Sequence, residues 1–441
     1  MTTAVGKAPP RQYFADFERL YERSSGPAWL RQLRQRGIEH FSEVGFPTAR
    51  RGNEPWKYTD VAPIADKEFG LRQFPPKVVP ARTLAPFTLS KGWDRLTFVD
   101  GSYRPELSSI QDSAMAIMNL AGAMATPEAS DHLGRLVTPD QDGFTALSAA
   151  FLNDGAFVHV PAGAVAERPV HLLFVNSGEA LTVAHPRILF VADRGSTTTV
   201  VESYVSLADG PALTNTAFEL FIGEGAQVEH YKLLFESTQA FHVANHQVLQ
   251  ARDSVFTSAS IAAGNALARN TVTVTLDGEG ARCTLNGLYY TKGTQHLDNH
   301  LFVDHAKPRT RSDEFFKGIL DGHSRAVFGG RVLVRRDAQK VEAHQYDKNL
   351  VLSQGAEIDS KPQLEILADD VKCTHGATAG QLSDADLFYL QARGIDQAQA
   401  RDLLAHAFAT ELLDRITLKP VRKRVEDFLL KNLPSLKVRE A

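Results

Sequence analysis

Hydrophobic residues recur at helical spacing near both ends of the chain and at strand spacing between them. From residue 11 to 45, Phe14, Phe17, Leu20 and Tyr21 follow one another at intervals of three, three and one, and Leu30, Leu33 and Ile38 carry an apolar stripe past Gly26-Pro27. This pattern predicts an amphipathic helical pair. The segment GFPTARRGNEPWKYTDVAPI, 45–64, is broken by Pro and Gly and offers Trp56 and Tyr58 as rigid aromatic anchors, with ordinary packing as their plainer role. Residues 70–150 mix proline-rich loops with a short apolar strand at 96–99 and a helix near 143–152.

From about residue 156 the texture becomes a series of short β-rich runs: VHLLFV, RILFVA, AFELFI, TVTVTL, RVLVRR and NLVLS. The segments between them are too short for the crossover helices of a doubly wound fold. Gly, Asp or His followed by Ala or Ser recurs at Gly163-Ala164, Gly195-Ser196, Gly225-Ala226, Asp253-Ser254, Gly280-Ala281, His305-Ala306, His323-Ser324, Asp337-Ala338, Gly355-Ala356 and Gly376-Ala377, with gaps of 14 to 32 residues. A repeated corner of this kind, with a small residue stacking beneath the next coil, predicts a parallel β-helix. An irregular multi-sheet sandwich is the alternative.

The last 58 residues return to helix. Ser383 with Asp386 forms a capping-box-like start for a short helix over Leu387, Phe388 and Leu390 that stops before Gly394. Asp396 with Gln399 opens a second, with Leu403, Leu404, Phe408, Leu412 and Ile416 as its stripe, and Pro420 opens a third that ends before Pro434. The expected fold is therefore mainly β: a parallel β-helix core at 151–382 between a helical and mixed region at 1–150 and a helical region at 383–441.

Composition adjusts this picture only slightly. The 441 residues are 43% hydrophobic, enough for a large core, and the net charge of −4 gives no global attraction to nucleic acid or an anionic membrane. The start MTTAVGKAPPRQYF lacks the apolar stretch of a secretory signal, and no 18-residue apolar run follows. Two cysteines ninety residues apart read as reduced thiols in a cytoplasmic setting.

Few residues carry a chemical signal. His296 and His300 share a strand face yet stand about 13 Å apart, too far for one ion, and His305 has the opposite parity. His242 and His246 fail as a pair for the same reason. The chain has no phosphate-binding glycine loop, nucleophile elbow or zinc-protease motif. A β-helix polysaccharide lyase or hydrolase would need converging carboxylates, for which Asp298, Asp304, Asp313 and Glu314 are the nearest candidates. Cys373 and His375 point the same way on a strand, with Cα atoms roughly 6.5–7 Å apart. Two thiols in the whole chain are too few for an ordinary four-thiolate cluster, so this pair is at most half of a metal site. The competing reading is a packed thiol beside a structural histidine.

The run from FFKGILDGHSRAVFGGRVLVRR through DDVKCTHGATAGQLSDADLFYLQARGI, 315–395, together with the EPWKYT element, resembles the SufB/SufD family of iron-sulfur cluster assembly proteins, in its SufD-like form. The resemblance spans about 40 to 415. It implies a right-handed parallel β-helix in a non-catalytic subunit that pairs with SufB, contacts the ATPase SufC and supports iron entry and cluster assembly. It places Cys373 and His375 at the SufB interface, with His375 the stronger ligand candidate. It also makes Phe388, Tyr389, Arg393 and Gly394 the partner-contact candidates. Iron or a transient iron-sulfur cluster shared with the partner is the implied cargo, and reduced flavin belongs only to the assembled complex. A purely structural scaffold without a ligand role is the second implied reading, and a homodimer through the same edge is expected of the isolated chain.

Overall fold

The computed structural model describes residues 10–23, 26–50, 53–71, 78–111 and 114–436. Arg51 and Gly52 of the 45–64 segment lie outside the described residues, as does the start MTTAVGKAP. The chain winds as a parallel β-solenoid of two facing sheets, with successive strands alternating between them. Thr198, Val228, Phe256, Cys283, Ser312, Ala343 and Cys373 pair in register from coil to coil along one sheet, so a coil takes 27 to 31 residues. No helix interrupts residues 155–380.

The two-residue period decides which side chains enter the lumen. In strand Arg325–Val334, Ala326, Phe328, Val332 and Val334 are fully buried in the central cluster, while Arg325 and Arg331 point outward to carboxylates. The predicted corners are real at most of the named positions. Gly195 and Gly225 both take φ of 66°, a conformation that costs glycine nothing, and Ser196 and Ala226 behind them are fully buried. Each coil has a second corner, as at Gly322 and Gly355, so the sequence signature sampled two corners per coil and its gaps scattered. Two positions are corrected. His305 ends strand His296–His305 inside the lumen, and that corner lies at Arg309, φ 57°, followed by buried Thr310. Gly376-Ala377 sits within strand Lys372–Gly380. His305-Ala306 thus marks a strand end without forming the corner itself, and Gly376-Ala377 lies in mid-strand.

The helices cover the outer sheet faces. Helices Arg11–Arg23, Ala28–Val44 and Gly143–Ala150 pack Tyr13, Phe41, Phe46 and Phe144 against Leu213, Phe241, Val243 and Leu267 of one sheet. A Cβ at Gly37 would stand 2.5 Å from the Ala150 amide nitrogen, so only glycine lets Ala28–Val44 and Gly143–Ala150 touch there. Trp56 takes the packing role: buried, it stacks on Phe144 at 5.5 Å, and the Arg269 guanidinium lies 3.9 Å from its ring centre. Helices Gln397–Leu413 and Lys419–Asn432 cover the other sheet, against Leu288, Tyr290, Phe315 and Ile319. Their starts match the sequence reading, since Asp396 caps through the Gln399 amide and Pro420 lies in the first turn. The buried stripe differs, because Leu403 is 39% exposed while Ala400, Ala405 and Ala409 face the sheet. Small residues there let the helix lie close to the large aliphatic and aromatic side chains of the strands.

Strand Asp94–Val99 pairs in parallel with Val170–Asn176, so the sheet begins within the N-terminal region. The two ends of the solenoid are unlike. The first coil is closed by antiparallel strands, Ala116–Asn119 on Gly155–Val160 and Ser102–Tyr103 on Asp94–Val99. The last coil, Glu357–Ile366 and Lys372–Gly380, pairs on one side only. Among the described residues no helix is long and apolar enough to cross a membrane.

Candidate functional site

The free end of the solenoid brings the sequence candidates to one place. Lys372 donates its amide to Val341 and pairs with Glu342, which fixes the register of strand Lys372–Gly380. In a parallel ladder alternate residues bond to opposite neighbours, so the N–H and C=O groups of Cys373, His375, Ala377 and Ala379 point to the unpaired edge. These residues therefore present backbone bonding capacity to a further strand while their side chains lie on the lumen side. Sheet edges of this kind are ready templates for pairing with another chain.

Cys373 is half-buried against the lumen cluster, and burial pushes its thiol up from its ordinary value. That is the behaviour of a packed thiol more than of an activated one. His375 is exposed at the rim. Cys283 stands in the same column as Cys373, three rungs away, which is roughly 14 Å at strand spacing. The two cysteines of the chain cannot share an ion.

Glu314, one of the carboxylates considered for glycan cleavage, and Gln345, which the sequence reading did not single out, lie directly beneath His375. Gln345 and Glu314 occupy successive rungs of its column, both fully buried, and Gln345 Nε2 donates to Glu314 Oε2 at 2.7 Å. Burial pushes the Glu314 carboxyl up to about 8, against the smaller opposing effect of the Gln345 bond, so it is largely protonated at neutral pH. Glu314 Oε1 and Gln345 Oε1 are buried without a protein partner. Gly330 on the facing sheet makes room for the amide, since a Cβ there would come within 2.3 Å of Gln345 Nε2. One column over, burial raises Asp347 to about 6 although it accepts from Ser360, Asn349 and Tyr289. The lumen wall below the rim is thus polar, with Glu314 protonated at neutral pH and Asp347 the neighbouring carboxylate that ionises just below it.

The remaining candidates divide clearly. Phe388 and Tyr389, 73% and 55% exposed, stand on helix Asp384–Gln391, which buries none of its residues. The Arg393 guanidinium lies 3.6 Å from the Tyr389 ring centre, and Gly394 ends the turn at φ 84°. Ile366, Leu367 and Tyr346 add exposed apolar surface on the last coils. The four carboxylates considered for glycan cleavage do not converge. Asp298 is buried against Thr59 and Arg269, Asp304 pairs with Arg335, Asp313 pairs with Arg415 on the other sheet, and Glu314 faces the lumen. His296 reaches Thr59 at 3.1 Å, and His305 is buried between Thr310 and Ser312, as strand parity requires.

The similarities to known proteins agree with this architecture. Residues 174–408 match the SUF system FeS cluster assembly SufBD core domain, and residues 11–172 match the SufBD protein N-terminal region. An iron-sulfur cluster assembly SufBD family protein of Synechocystis is 32% identical over 407 residues, 89% of this chain and 88% of that protein. The iron-sulfur cluster assembly protein SufD of Escherichia coli is 30% identical over 403 residues, 91% and 92% of the two chains. SufD of Bacillus subtilis is 24% identical over 439 residues, 96% and 98% of the two chains. The chain belongs to the SufB/SufD family of SUF-system iron-sulfur cluster assembly proteins.

Proposed function

We propose that this chain is a non-catalytic subunit of a cytoplasmic cluster-assembly complex, joined through its open solenoid end to a second solenoid of the SufB type. The observation that carries this reading is the asymmetry of the two ends: one is closed by antiparallel strands, the other leaves the edge of Lys372–Gly380 free beside an exposed His375. A partner strand added to that edge would set its own side chains one rung from Cys373 and His375, about 4.8 Å away. An imidazole so placed completes a site for iron or a transient cluster that neither chain holds alone. Helix Asp384–Gln391, with Phe388, Tyr389, Arg393 and Gly394, is the contact surface for the ATPase of the complex, SufC, which supplies the hydrolysis this chain has no motif for. Reduced flavin, in this reading, belongs to the assembled complex.

The test is a reconstituted complex with SufB and SufC in which His375→Ala, Cys373→Ser and the double variant are compared for association and cluster yield. We expect association to persist and yield to fall in the His375→Ala complex. A yield unchanged by both substitutions would reduce this edge to a docking strand. The raised Cys373 thiol favours that second reading for the cysteine alone, so its variant should have the smaller effect.

A further inference from the structure

A second cluster lies far from the rim, inside the first half of the solenoid. Glu202 on strand Thr197–Ser206, His230 on strand Gln227–Phe235 and His246 on strand Phe241–Gln250 of the facing sheet meet across the lumen. Glu202 Oε1 accepts from His230 Nε2 at 2.6 Å and from His246 Nε2 at 2.9 Å, and Glu202 Oε2 accepts from Tyr204 at 2.5 Å. All three residues are buried, and their donor atoms lie within 4.8 Å of one another. The outer ring nitrogens differ. His230 Nδ1 is 2.8 Å from Ser258 Oγ, whereas His246 Nδ1 is buried with no protein partner. The sequence reading rejected His246 because it tested it only against His242, its neighbour on the same strand. The partners it meets come from other strands, 16 and 44 residues earlier.

We propose that Glu202, His230 and His246 form a binding site for one divalent first-row transition-metal ion inside the lumen. Two imidazoles and one carboxylate are a donor set suited to Fe(II) or Zn(II), and hard, fully hydrated ions such as Mg(II) are excluded by the nitrogen donors and the closed walls. Without an ion, one carboxylate oxygen takes both imidazole N–H groups. With an ion bound, both Nε2 atoms and the carboxylate would turn to the metal and each ring would carry its proton on Nδ1. His230 Nδ1 already lies 2.8 Å from Ser258 Oγ, which would then accept that proton, the outer bond that metal-ligating histidines require.

The surrounding charges suit a cation. One buried carboxylate lies between two imidazoles, an arrangement that attracts a cation. Lys232, the nearest cation, pairs in register with Glu202 but is bonded to Asn270 Oδ1 at 2.8 Å and lies over the Tyr204 ring, with Glu236 as a further counter-charge. Packed side chains link the site to the surface. A surface cleft walled by Asp100, Thr182, Pro186 and Thr214 reaches Glu236, which bonds His242 at 2.9 Å, and the His242 ring packs edge-on against Tyr204 at 4.7 Å. Tyr204 then touches Glu202. The site is independent of the rim, because His375 and Cys373 belong to the last coil.

The full chain, stripped with chelator and passed through gel filtration after incubation with Zn(II), Fe(II) under anaerobic conditions, or Mg(II), tests this directly. We expect about one Zn(II) or Fe(II) and no Mg(II) per chain, retained in the Cys373→Ser/His375→Ala variant and reduced at least about tenfold in Glu202→Gln and His246→Ala. Unloaded wild-type protein, or a metal content indifferent to both lumen substitutions, overturns the proposal. Should those variants fail to fold, X-ray absorption at the zinc edge of the loaded wild type decides: two imidazoles and an oxygen at about 2.0–2.2 Å support the site, and sulfur ligation or oxygen-only ligation rejects it.

Discussion

The Gln345 side-chain amide donates to the Glu314 carboxyl at 2.7 Å one rung beneath His375, which makes the lumen wall under the rim a neutral hydrogen-bonded column. Its neutrality depends on the proton that burial keeps on Glu314, whose pKa is raised to about 8. In the unfolded chain the same carboxyl titrates near 4.5. Between those values the folded protein holds a proton that the unfolded protein has lost, so the stability from this group is fully present at low pH and is lost as pH rises toward 8. Wild type should lose about 2 kcal/mol of unfolding free energy between pH 6.5 and 8 through this group, at about 1.4 kcal/mol per pH unit. The Glu314→Gln variant keeps an acceptor for Gln345 and carries no proton to lose. Because the buried histidines push stability up over the same range, urea unfolding at pH 6.5 and 8 should show the variant gaining about 2 kcal/mol relative to wild type.

The acid side is governed by histidines. Burial pushes His171, His185 and His305 down to about 3 and His246 and His300 to about 4. Their ordinary value is 6.5. Here the unfolded chain binds the extra protons, so stability falls as pH drops from 6.5 toward 4. At pH 5 these rings take up about five protons on unfolding, while Glu314 and Asp347 release about one and a half. The slope of unfolding free energy against pH should then correspond to a net uptake of about three protons at pH 5, and stability should peak near pH 7. A slope near zero at pH 5 would mean that the imidazoles are charged in the folded protein.

How far the sequence foresaw this structure depends on the range of the contacts involved. Strand periodicity put His296 and His300 on one face and His305 on the other, because parity within one strand is a local property. Corner chemistry showed a solenoid, since Gly195-Ser196 and Gly225-Ala226 repeat the same backbone turn over the same buried small side chain. The column Glu314, Gln345, His375 was not legible, because it rests on coil lengths of 31 and 30 residues, and one residue of slip would turn each side chain out of the lumen. Coil length varies from 27 to 31, so no fixed period assigns that register. The cross-lumen meeting of His246 with Glu202 was further out of reach, since it joins opposite sheets.

Arg269 ties the N-terminal region to the solenoid. Its guanidinium is buried over Trp56 and bonded to Asp298, which also accepts from Thr59 at 2.6 Å. Removing one partner of a buried pair leaves the other charge uncompensated, at about 3–5 kcal/mol. Arg269→Ala should therefore lower stability by that order and loosen the segment around Trp56. Limited proteolysis should cut within 53–64 faster than in wild type, whereas Arg325→Ala, a partly exposed pair with Asp359, should change the rate little.

The free edge gives the sharpest separation between folding and pairing. The amide of Ala377 points away from strand Glu342–Val351, because the register gives that strand the amides of Lys372, Thr374, Gly376 and Thr378 instead. Proline at 377 removes one outward donor and adds ring bulk at the edge, while every hydrogen bond to Glu342–Val351 remains, and the preceding Gly376 is already extended within the strand. Thr378→Pro, one residue on, removes an inward donor. Ala377→Pro should keep a wild-type melting temperature yet lose association with a SufB-type partner, and any self-pairing of the isolated chain, by tenfold or more, the equivalent of at least about 1.4 kcal/mol. Thr378→Pro should lower the melting temperature itself. Calorimetry and analytical ultracentrifugation on the two variants read both quantities, and an Ala377→Pro chain that still binds its partner at wild-type affinity would show that the partner does not add a strand to this edge.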